Sequence, residues 1–337
     1  PVSGIWQTVW LESVDETHIR SIHPQANITK STVKVNMDIA DMDGNEQIII
    51  RVLDNGKTIA TVSQKATKII EIALPNIIHW TPETPKLYTL EIELKDGKKV
   101  LDKVESYFAM REISTVTDDK GYKRVGLNGK AIFQWGTLDQ GWWPDGLLTP
   151  PSAEAMLWDM VQLKHMGFNT IRKHIKVEPA LYYYYADSLG LMLWQDMPSG
   201  YSTKRQEQEF LNSESKEDWN APADVAAQRQ KELNEMIENL SFFPSITTWV
   251  IFNEGWGQHN TKAITEWAMQ KDPTRLINAV SGWTERYVGN FYDIHNYPAT
   301  SMIFPEYCAN RISVLGEFGG LGLPVQNHLW NPNMRNW

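Results

Sequence analysis

Two glutamates each close an apolar stretch of the kind that forms a buried strand. Glu254 ends the run ITTWVIFNE (246–254), and Glu317 lies near the end of ISVLGEF (312–318). A facing pair of carboxyl groups can hydrolyse a glycosidic bond, because one protonates the leaving oxygen while the other attacks the anomeric carbon. A gap of ~5–5.5 Å gives retention of configuration, and a wider gap gives inversion. A structural ion pair is the alternative for either glutamate alone, but their matching places favour catalysis.

Other polar and aromatic residues also follow apolar runs in the second half of the chain. We predict that they line the same site as substrate-binding residues: Asn253, Tyr297, Arg172, His174, His295, Asp139, Asp196, Trp256 and Trp283. Alternatives remain for several of them. Arg172 could serve an ion pair at the rim, His174 and His295 could be satisfied core histidines, and Asp139 and Asp196 are evenly balanced between site and scaffold. Tryptophan faces near Gly and Pro could stack on sugar rings or fill a core.

The elements that must position these residues alternate between strand and helix. Apolar strands are predicted at KAIFQWG, FNTIR, LMLWQ, ITTWVIF, RLINAV, FYDIH and RISVLGEF. Helices are predicted from Ser152 to Gly167, from Pro179 to Gly190, over 224–240 and over 261–271, with a charged loop near 202–220. Buried strands that alternate with helices form a parallel sheet, and seven of them favour a closed (β/α)8 TIM barrel over 117–337. No eighth strand is visible, so the barrel is expected to lack its last β/α unit.

The first part of the chain has a different pattern. Short runs alternate apolar and polar residues between Asp-Gly and Asn-Gly turns at 43–44, 55–56 and 96–97. Roughly seven strands of this kind predict an immunoglobulin-like β-sandwich over 27–116. Residues 1–26 are predicted to be the end of a preceding sugar-binding jelly-roll domain. The chain begins at Pro1 without a methionine, which we interpret as a fragment boundary.

Composition excludes several classes of protein. Hydrophobic residues make up 42% of the 337 residues and charged residues 22%, which is typical of a globular chain. The net charge of −9 argues against a nucleic-acid partner, and no apolar run is long enough for a membrane span. One cysteine, Cys308, excludes an internal disulfide framework. Location is undetermined, although for a bacterial source we expect the periplasm or secretion rather than the cytoplasm.

Taken in order, the motifs resemble glycoside hydrolase family 2, the retaining enzymes that include β-galactosidases, β-glucuronidases and β-mannosidases. The resemblance covers GIWQTVWLE, WTPETPKLYTLEIEL, LNGKAIFQWG, FNTIRKH, ADSLGLMLWQDMP, FFPSITTWVIFNE and VLGEFGG. It implies that Glu254 is the general acid/base and Glu317 the nucleophile. It further implies that Asn253 binds the sugar 2-hydroxyl, and that Tyr297 and Arg172 hold the nucleophile ionised. The pKa of Glu254 is then expected to rise in the substrate-filled site.

Departures from the family pattern leave the sugar open. KHIKVEP (173–179) replaces the usual His-Tyr-Pro string with only His174 kept, and WQDMP (194–198) stands where an Asp-Glu pair is common. We predict a retaining exo-β-glycosidase, with β-galactosides as the first substrate guess and β-glucuronides, β-mannosides or α-L-arabinopyranosides as alternatives. A carbohydrate-binding fragment without turnover is the competing class. No metal ligands are identified, although some relatives bind Mg²⁺ or Na⁺, and a homo-oligomer is compatible with the sequence.

Overall fold

The computed structural model shows two bodies of different architecture joined by a short β-hairpin. It describes residues 4–5, 7–200, 218–297, 300–322, 324–327, 329 and 331. The predicted charged loop near 202–220 therefore falls almost wholly outside the described residues. No described helix has both the length and the apolar character required to cross a membrane.

Seven antiparallel strands form the first body, a sandwich of two sheets. The strands are β1 Ile19–Asn27, β2 Thr32–Ile39, β3 Gln47–Asp54, β4 Lys57–Lys65, β5 Ile69–Ala73, β6 Tyr88–Asp96 and β7 Lys99–Phe108. One sheet has the order β1-β2-β5 and the other the order β4-β3-β6-β7. Strand β6 alternates buried and half-buried positions along most of its length, so one face of its sheet packs into the apolar core between the sheets.

The first predicted domain boundary, between residues 26 and 27, is wrong because strand β1 crosses it. Residues 19–26, assigned from the sequence to a preceding domain, pair antiparallel with β2 and belong to this sandwich. The interpretation failed because the half-buried pattern of β1 lacks the strict alternation seen in its neighbours. Residues 7–18 form no strand.

A hairpin after the sandwich closes the amino-terminal end of the second body. Strands β8 Ile113–Thr117, β9 Lys123–Leu127 and β10 Lys130–Ala131 form a small antiparallel sheet. Its apolar side chains pack against residues near the starts of the parallel strands, including Met192, Leu276 and Ile312. The predicted boundary at residue 117 therefore falls at the end of β8, a strand that packs on the second body.

The second body is the parallel barrel. Its strands are β11 Gly136–Asp139, β12 Thr170–Lys173, β13 Met192–Asp196, β14 Ile246–Asn253, β15 Leu276–Ser281, β16 Phe291–Asn296 and β17 Ile312–Phe318. Strands β11 to β15 form one parallel sheet in chain order, and β16 pairs in parallel with β17. The α-helices among the described residues of this body are α1 Ala153–His165, α2 Ala180–Leu189, α3 Ala223–Leu240 and α4 Thr261–Lys271.

Six of the seven predicted parallel strands are present where the sequence placed them, and the first is displaced. The run KAIFQWG was predicted to be the first barrel strand, but only Lys130–Ala131 pairs there, with β9, and the barrel strand begins at Gly136. The described residues after Phe318 contain no further strand. The ring of Phe318 lies 6.1 Å from that of Trp135, so the end of β17 approaches the start of β11.

Helix signals in the sequence are matched by local hydrogen bonds. The Ser152 side chain accepts from the amide of Ala155 at the start of α1, and Gly190 adopts the left-handed conformation that ends α2. Strand β14 is buried along its whole length, because helices cover its outer face and the barrel interior covers the other.

Candidate active site

Glu254 follows directly on the last residue of β14, at the carboxyl end of the barrel strands. Its backbone is held in the left-handed region, with φ of 50°, and its amide donates to the carbonyl oxygen of Ser281 at 2.8 Å. A non-glycine residue in this region is strained by roughly 1–3 kcal/mol, and such strain concentrates at functional sites. The backbone thus turns sharply at Glu254.

Glu317, on β17, has both carboxylate oxygens occupied. Arg172 Nη1 donates to Oε1 at 2.8 Å, and the phenol of Tyr297 donates to Oε2 at 2.7 Å. Only 9% of the Glu317 side chain is exposed, so these two donors compensate for lost hydration of the charge. Burial raises the pKa of Tyr297, and so does the adjacent Glu317 carboxylate, which keeps the phenol protonated as a donor.

The two glutamates face one another across His295. One ligating atom from each of Glu254, His295 and Glu317 lies within 4.8 Å of the other two, so oxygens of the two carboxyl groups approach to within that distance. His295 Nδ1 lies 2.8 Å from Glu254 Oε1 and 3.5 Å from Glu317 Oε2. This approach brings the two carboxyl groups near enough to act on one sugar, as the retaining mechanism requires.

Arg172 organises this side of the site. It is bonded through two nitrogens to Asp196, at 3.1 and 2.9 Å, and Nη2 also donates to Asn253 Oδ1 at 2.7 Å. Asp196 is fully buried behind Arg172, so the structure shows it as a partner of the guanidinium, and its substrate contact stays a prediction. It positions Arg172, which in turn contacts Glu317. Asn253 is held against the same guanidinium.

His174 lies beside the nucleophile candidate with one ring nitrogen available. Its Nδ1 lies 3.3 Å from the Gln140 amide nitrogen, while its buried Nε2 has no hydrogen-bond partner among the described residues. That nitrogen is 3.8 Å from Glu317 Oε1. Burial and the charge of Arg172 lower the pKa of His174 to about 4, so the ring is neutral at neutral pH. A neutral Nε2 is suited to a sugar hydroxyl.

The remaining predicted residues divide between scaffold and rim. Asp139 is tied to Lys173 Nζ at 2.9 Å, to the Tyr182 hydroxyl at 2.9 Å and to the amide of Gly141, while 32% of its side chain is exposed, so its predicted substrate contact stays a prediction. The positive charge of Lys173 was not anticipated there. Trp256 and Trp283 lie in the loops after β14 and β15, half-buried on the same side as the glutamates.

Two functional-site residues were missed by sequence reasoning. Ser281, the last residue of β15, and Asp293, on β16, both lie behind His295. Asp293 and His295 are two residues apart on one strand, so the period-two rule could have placed them on the same face. Ser281 carried no comparable signal, since its place beside His295 depends on the adjacency of β15 and β16.

The pKa rise predicted for Glu254 concerns the substrate-filled site and stays a prediction. Burial opposes its ionisation, but the hydrogen bond and charge of His295, with smaller contributions from His174 and Arg172, lower the pKa of Glu254 overall. A general acid needs the opposite direction. The expected rise refers to the substrate-filled site, where a bound sugar would displace water from these groups.

A cation is poorly suited to the cluster of Glu254, His295 and Glu317. The Glu317 oxygens already accept from Arg172 and Tyr297, and a guanidinium 2.8 Å from a ligand oxygen would repel a divalent ion. The residues present therefore fit acid–base and nucleophilic chemistry better than metal ligation.

Comparison with known proteins places the chain in a family. Residues 17–111 match the family model described as glycosyl hydrolases family 2, and residues 151–311 match that of the family 2 TIM barrel domain. The chain belongs to glycosyl hydrolase family 2. Both predicted bodies therefore correspond to domains of this family, and the resemblance inferred from the motifs is confirmed.

Individual relatives carry two different names. A putative β-glucuronidase of Formosa agariphila is 27% identical over 83% of this chain and 26% of its own length. A β-galactosidase of Clostridium acetobutylicum is 25% identical over 82% of this chain and 31% of its own length. A solved β-glucuronidase from Ruminococcus gnavus superposes with a TM-score of 0.66 at 19% identity, covering 82% of this chain and 45% of that one. The chain thus spans about a third or less of the length of these two curated relatives.

Proposed function

We propose that this chain carries the catalytic site of a retaining exo-β-glycosidase. The observation that carries the proposal is the approach of Glu254 and Glu317 oxygens to within 4.8 Å, with Glu317 bonded to Arg172 and Tyr297. Glu317 attacks the anomeric carbon while Glu254 protonates the leaving oxygen, which gives a glycosyl ester on Glu317. Glu254 then removes a proton from water, which attacks the ester and releases the sugar with its configuration retained.

The surrounding residues assist this reaction in separate ways. Arg172 and Tyr297 hold the attacking oxygens of Glu317 in place and stabilise their charge before attack. Asn253 is placed to bind the 2-hydroxyl, a contact that strengthens in the transition state. The unpartnered Nε2 of His174 supplies a further acceptor or donor at the nucleophile side.

For the sugar we propose a neutral β-galactoside first. The described cations around the pair are already engaged: Arg172 with Asp196 and Glu317, and Lys173 with Asp139. A uronic acid needs a cation for its carboxylate, and these two are committed elsewhere. A β-glucuronide is the second candidate, and the names of the Formosa and Ruminococcus relatives favour it.

A panel of nitrophenyl β-glycosides tests this function. We expect hydrolysis of at least one sugar, loss of more than about 10³-fold in kcat with Glu317→Gln, and little change with the exposed helix residue Glu266→Gln as control. Proton NMR of the first product should show the β-anomer before mutarotation. Initial release of the α-anomer, or full activity of Glu317→Gln, contradicts the proposal. Sugar binding by calorimetry without turnover supports the alternative, a non-catalytic carbohydrate-binding fragment.

A further inference from the structure

A chain of hydrogen bonds leads from Glu254 to a carboxyl group deep in the barrel. His295 Nδ1 lies 2.8 Å from Glu254 Oε1, and His295 Nε2 lies 2.8 Å from Ser281 Oγ. Ser281 Oγ lies in turn 2.6 Å from Asp293 Oδ2. Asp293 is only 2% exposed, so a sugar cannot contact it. Its connection to the site runs through the serine and the histidine.

With a neutral His295 ring, donor and acceptor accounting allows two arrangements of the protons in this chain. In the first, ionised Asp293 accepts from Ser281, whose oxygen accepts from His295 Nε2–H, and His295 Nδ1 accepts from protonated Glu254. In the second, protonated Asp293 donates to Ser281, whose hydroxyl donates to Nε2, and Nδ1–H donates to ionised Glu254. Both arrangements contain the same number of protons and the same charge. They differ in which carboxyl group is the acid.

We propose that Asp293 stores the proton that Glu254 delivers to the leaving group, and that Ser281 and His295 relay it. This rests on the proposed function for the role of Glu254 as general acid. In the relay, the O–H bond of Asp293 breaks as one forms on Ser281, and the Ser281 proton moves to Nε2 while Nδ1–H passes to Glu254. After the water attack, Glu254 holds a proton again and the chain returns to the second arrangement.

The surroundings favour the second arrangement in the resting site. Burial raises the pKa of Asp293, although His295, Arg172 and hydrogen bonds from Ser281 and Asn278 work against it. Arg172 Nη1 lies 3.4 Å from His295 Nε2 and can only donate, so it prefers Nε2 as an acceptor.

The backbone of β17 also fits this role for Asp293. The amide of Gly316 donates to Asp293 Oδ1 at 2.8 Å, and a Cβ at position 316 would lie 2.3 Å from that same oxygen. The glycine is therefore required for the carboxyl group to lie in place beside the strand that carries Glu317. Asn278 Nδ2 donates to the other oxygen at 2.7 Å, while Asn278 Oδ1 is buried without a partner among the described residues.

Asp293→Asn tests the relay because it imitates the protonated acid permanently. The new amide donates to Ser281, and the Asn278 side chain can turn its unpartnered oxygen toward it. Ser281 then donates to His295 Nε2, which fixes the proton on Nδ1 and keeps Glu254 ionised. Ser281→Ala should act in the same direction, because Nε2 then faces only the Arg172 donor. Both are positioning changes that leave Glu254 and Glu317 intact.

Nitrogen NMR of protein that contains isotope-labelled histidine shows which ring nitrogen of His295 carries the proton, and it requires no turnover. At one fixed pH, exchange between the two arrangements should give both ring nitrogens of His295 partial N–H character in the unmodified protein. In Asp293→Asn the proton should stay on Nδ1. His295→Gln assigns the signal. The charged or titratable groups around the ring are Glu254, Glu317, Arg172, His174, Asp196 and Asp293. Identical nitrogen chemical shifts for the two His295 ring nitrogens in the unmodified protein and Asp293→Asn overturn the proposal.

Leaving-group dependence gives the kinetic readout. With a methyl glycoside, which needs acid assistance, we expect kcat/KM to fall about 10²-fold in Asp293→Asn and Ser281→Ala. With a dinitrophenyl glycoside, which does not need it, the change should stay below about threefold. Equal falls with both substrates contradict a relay. Ser313→Ala, which removes a buried hydroxyl bonded to the carbonyl of Ile303, and Asp187→Asn are matched controls.

The two proposals fail in different ways. If the protein hydrolyses no glycoside but the His295 tautomer changes in Asp293→Asn, the proposed enzyme function is refuted and the hydrogen-bonded proton chain is supported. If the protein hydrolyses glycosides and the leaving-group dependence is unchanged in Asp293→Asn and Ser281→Ala, the enzyme function is supported and the relay is refuted.

Discussion

Asp187 gives the sharpest stability prediction, because it is a fully buried carboxyl group where the sandwich meets the barrel. Its Oδ1 accepts from the Ser245 amide at 2.6 Å and its Oδ2 from the Tyr107 hydroxyl at 2.7 Å. Its backbone oxygen accepts from the Trp80 indole at 2.8 Å. Burial raises the pKa of Asp187 from 3.8 to about 7, even though these bonds and Arg111 work in the other direction.

The direction of the pH effect follows from proton binding. Between about pH 4 and pH 7 the folded protein keeps the Asp187 proton and the unfolded chain has lost it, so the free energy of unfolding falls as pH rises. The gap between 3.8 and about 7 corresponds to about 4 kcal/mol in total. The contribution is fully present below the unfolded pKa and is lost as pH rises through the folded pKa. Asp187→Asn removes this titration.

Urea unfolding followed by tryptophan fluorescence measures the effect. Relative to the unmodified protein, Asp187→Asn should gain up to about 4 kcal/mol between about pH 4 and about pH 8, with the gain concentrated below pH 7. Asp119→Asn, at an exposed turn, should follow the unmodified protein at every pH. A constant offset between Asp187→Asn and the unmodified protein across this range would refute the reasoning.

Three further changes test other parts of the structure. Gly316→Ala places a Cβ 2.3 Å from Asp293 Oδ1, so we expect kcat to fall at least about tenfold with a lower thermal midpoint, and unchanged activity would contradict the tight contact. Ser152→Ala removes the cap bond to the Ala155 amide and should lower the free energy of unfolding by about 1 kcal/mol in urea titrations, whereas no change would show that the cap is dispensable. Ile92→Ala truncates a fully buried side chain of the sandwich and should lower the free energy of unfolding by about 2–5 kcal/mol in the same assay. A decrease below about 1 kcal/mol would indicate that the sandwich core repacks.

Local signals in the sequence determined the elements with little error. The alternation of β6 and the continuous apolar run of β14 report how many faces of each strand are buried, and both were assigned correctly. The cap at Ser152 and the left-handed Gly190 fix the helix ends by contacts within a few residues. The order of these elements predicted the sandwich and the parallel barrel, because strand–helix alternation leaves few ways to pack.

Boundaries were less well predicted where a strand is shared between layers. Strand β1 is half-buried and does not alternate between buried and exposed positions. The hairpin β8–β9 packs on the barrel, although its sequence has the same short alternating runs as the sandwich. A one-dimensional pattern reports how much of a face is covered but not which body covers it.

The sequence by itself named the carboxyl pair, while the roles of the residues around it were decided by the tertiary structure. Glu254 and Glu317 could be found because a strand end is a local feature, and the ends of parallel strands share one side of a barrel. Asp196 and Asp139 also end strands, yet each forms an ion pair with a cation of the neighbouring strand β12, Arg172 or Lys173. Whether a carboxyl group faces a cation, a histidine or solvent depends on neighbouring strands far away in the chain. That is a property of distances in space, which residue order does not contain.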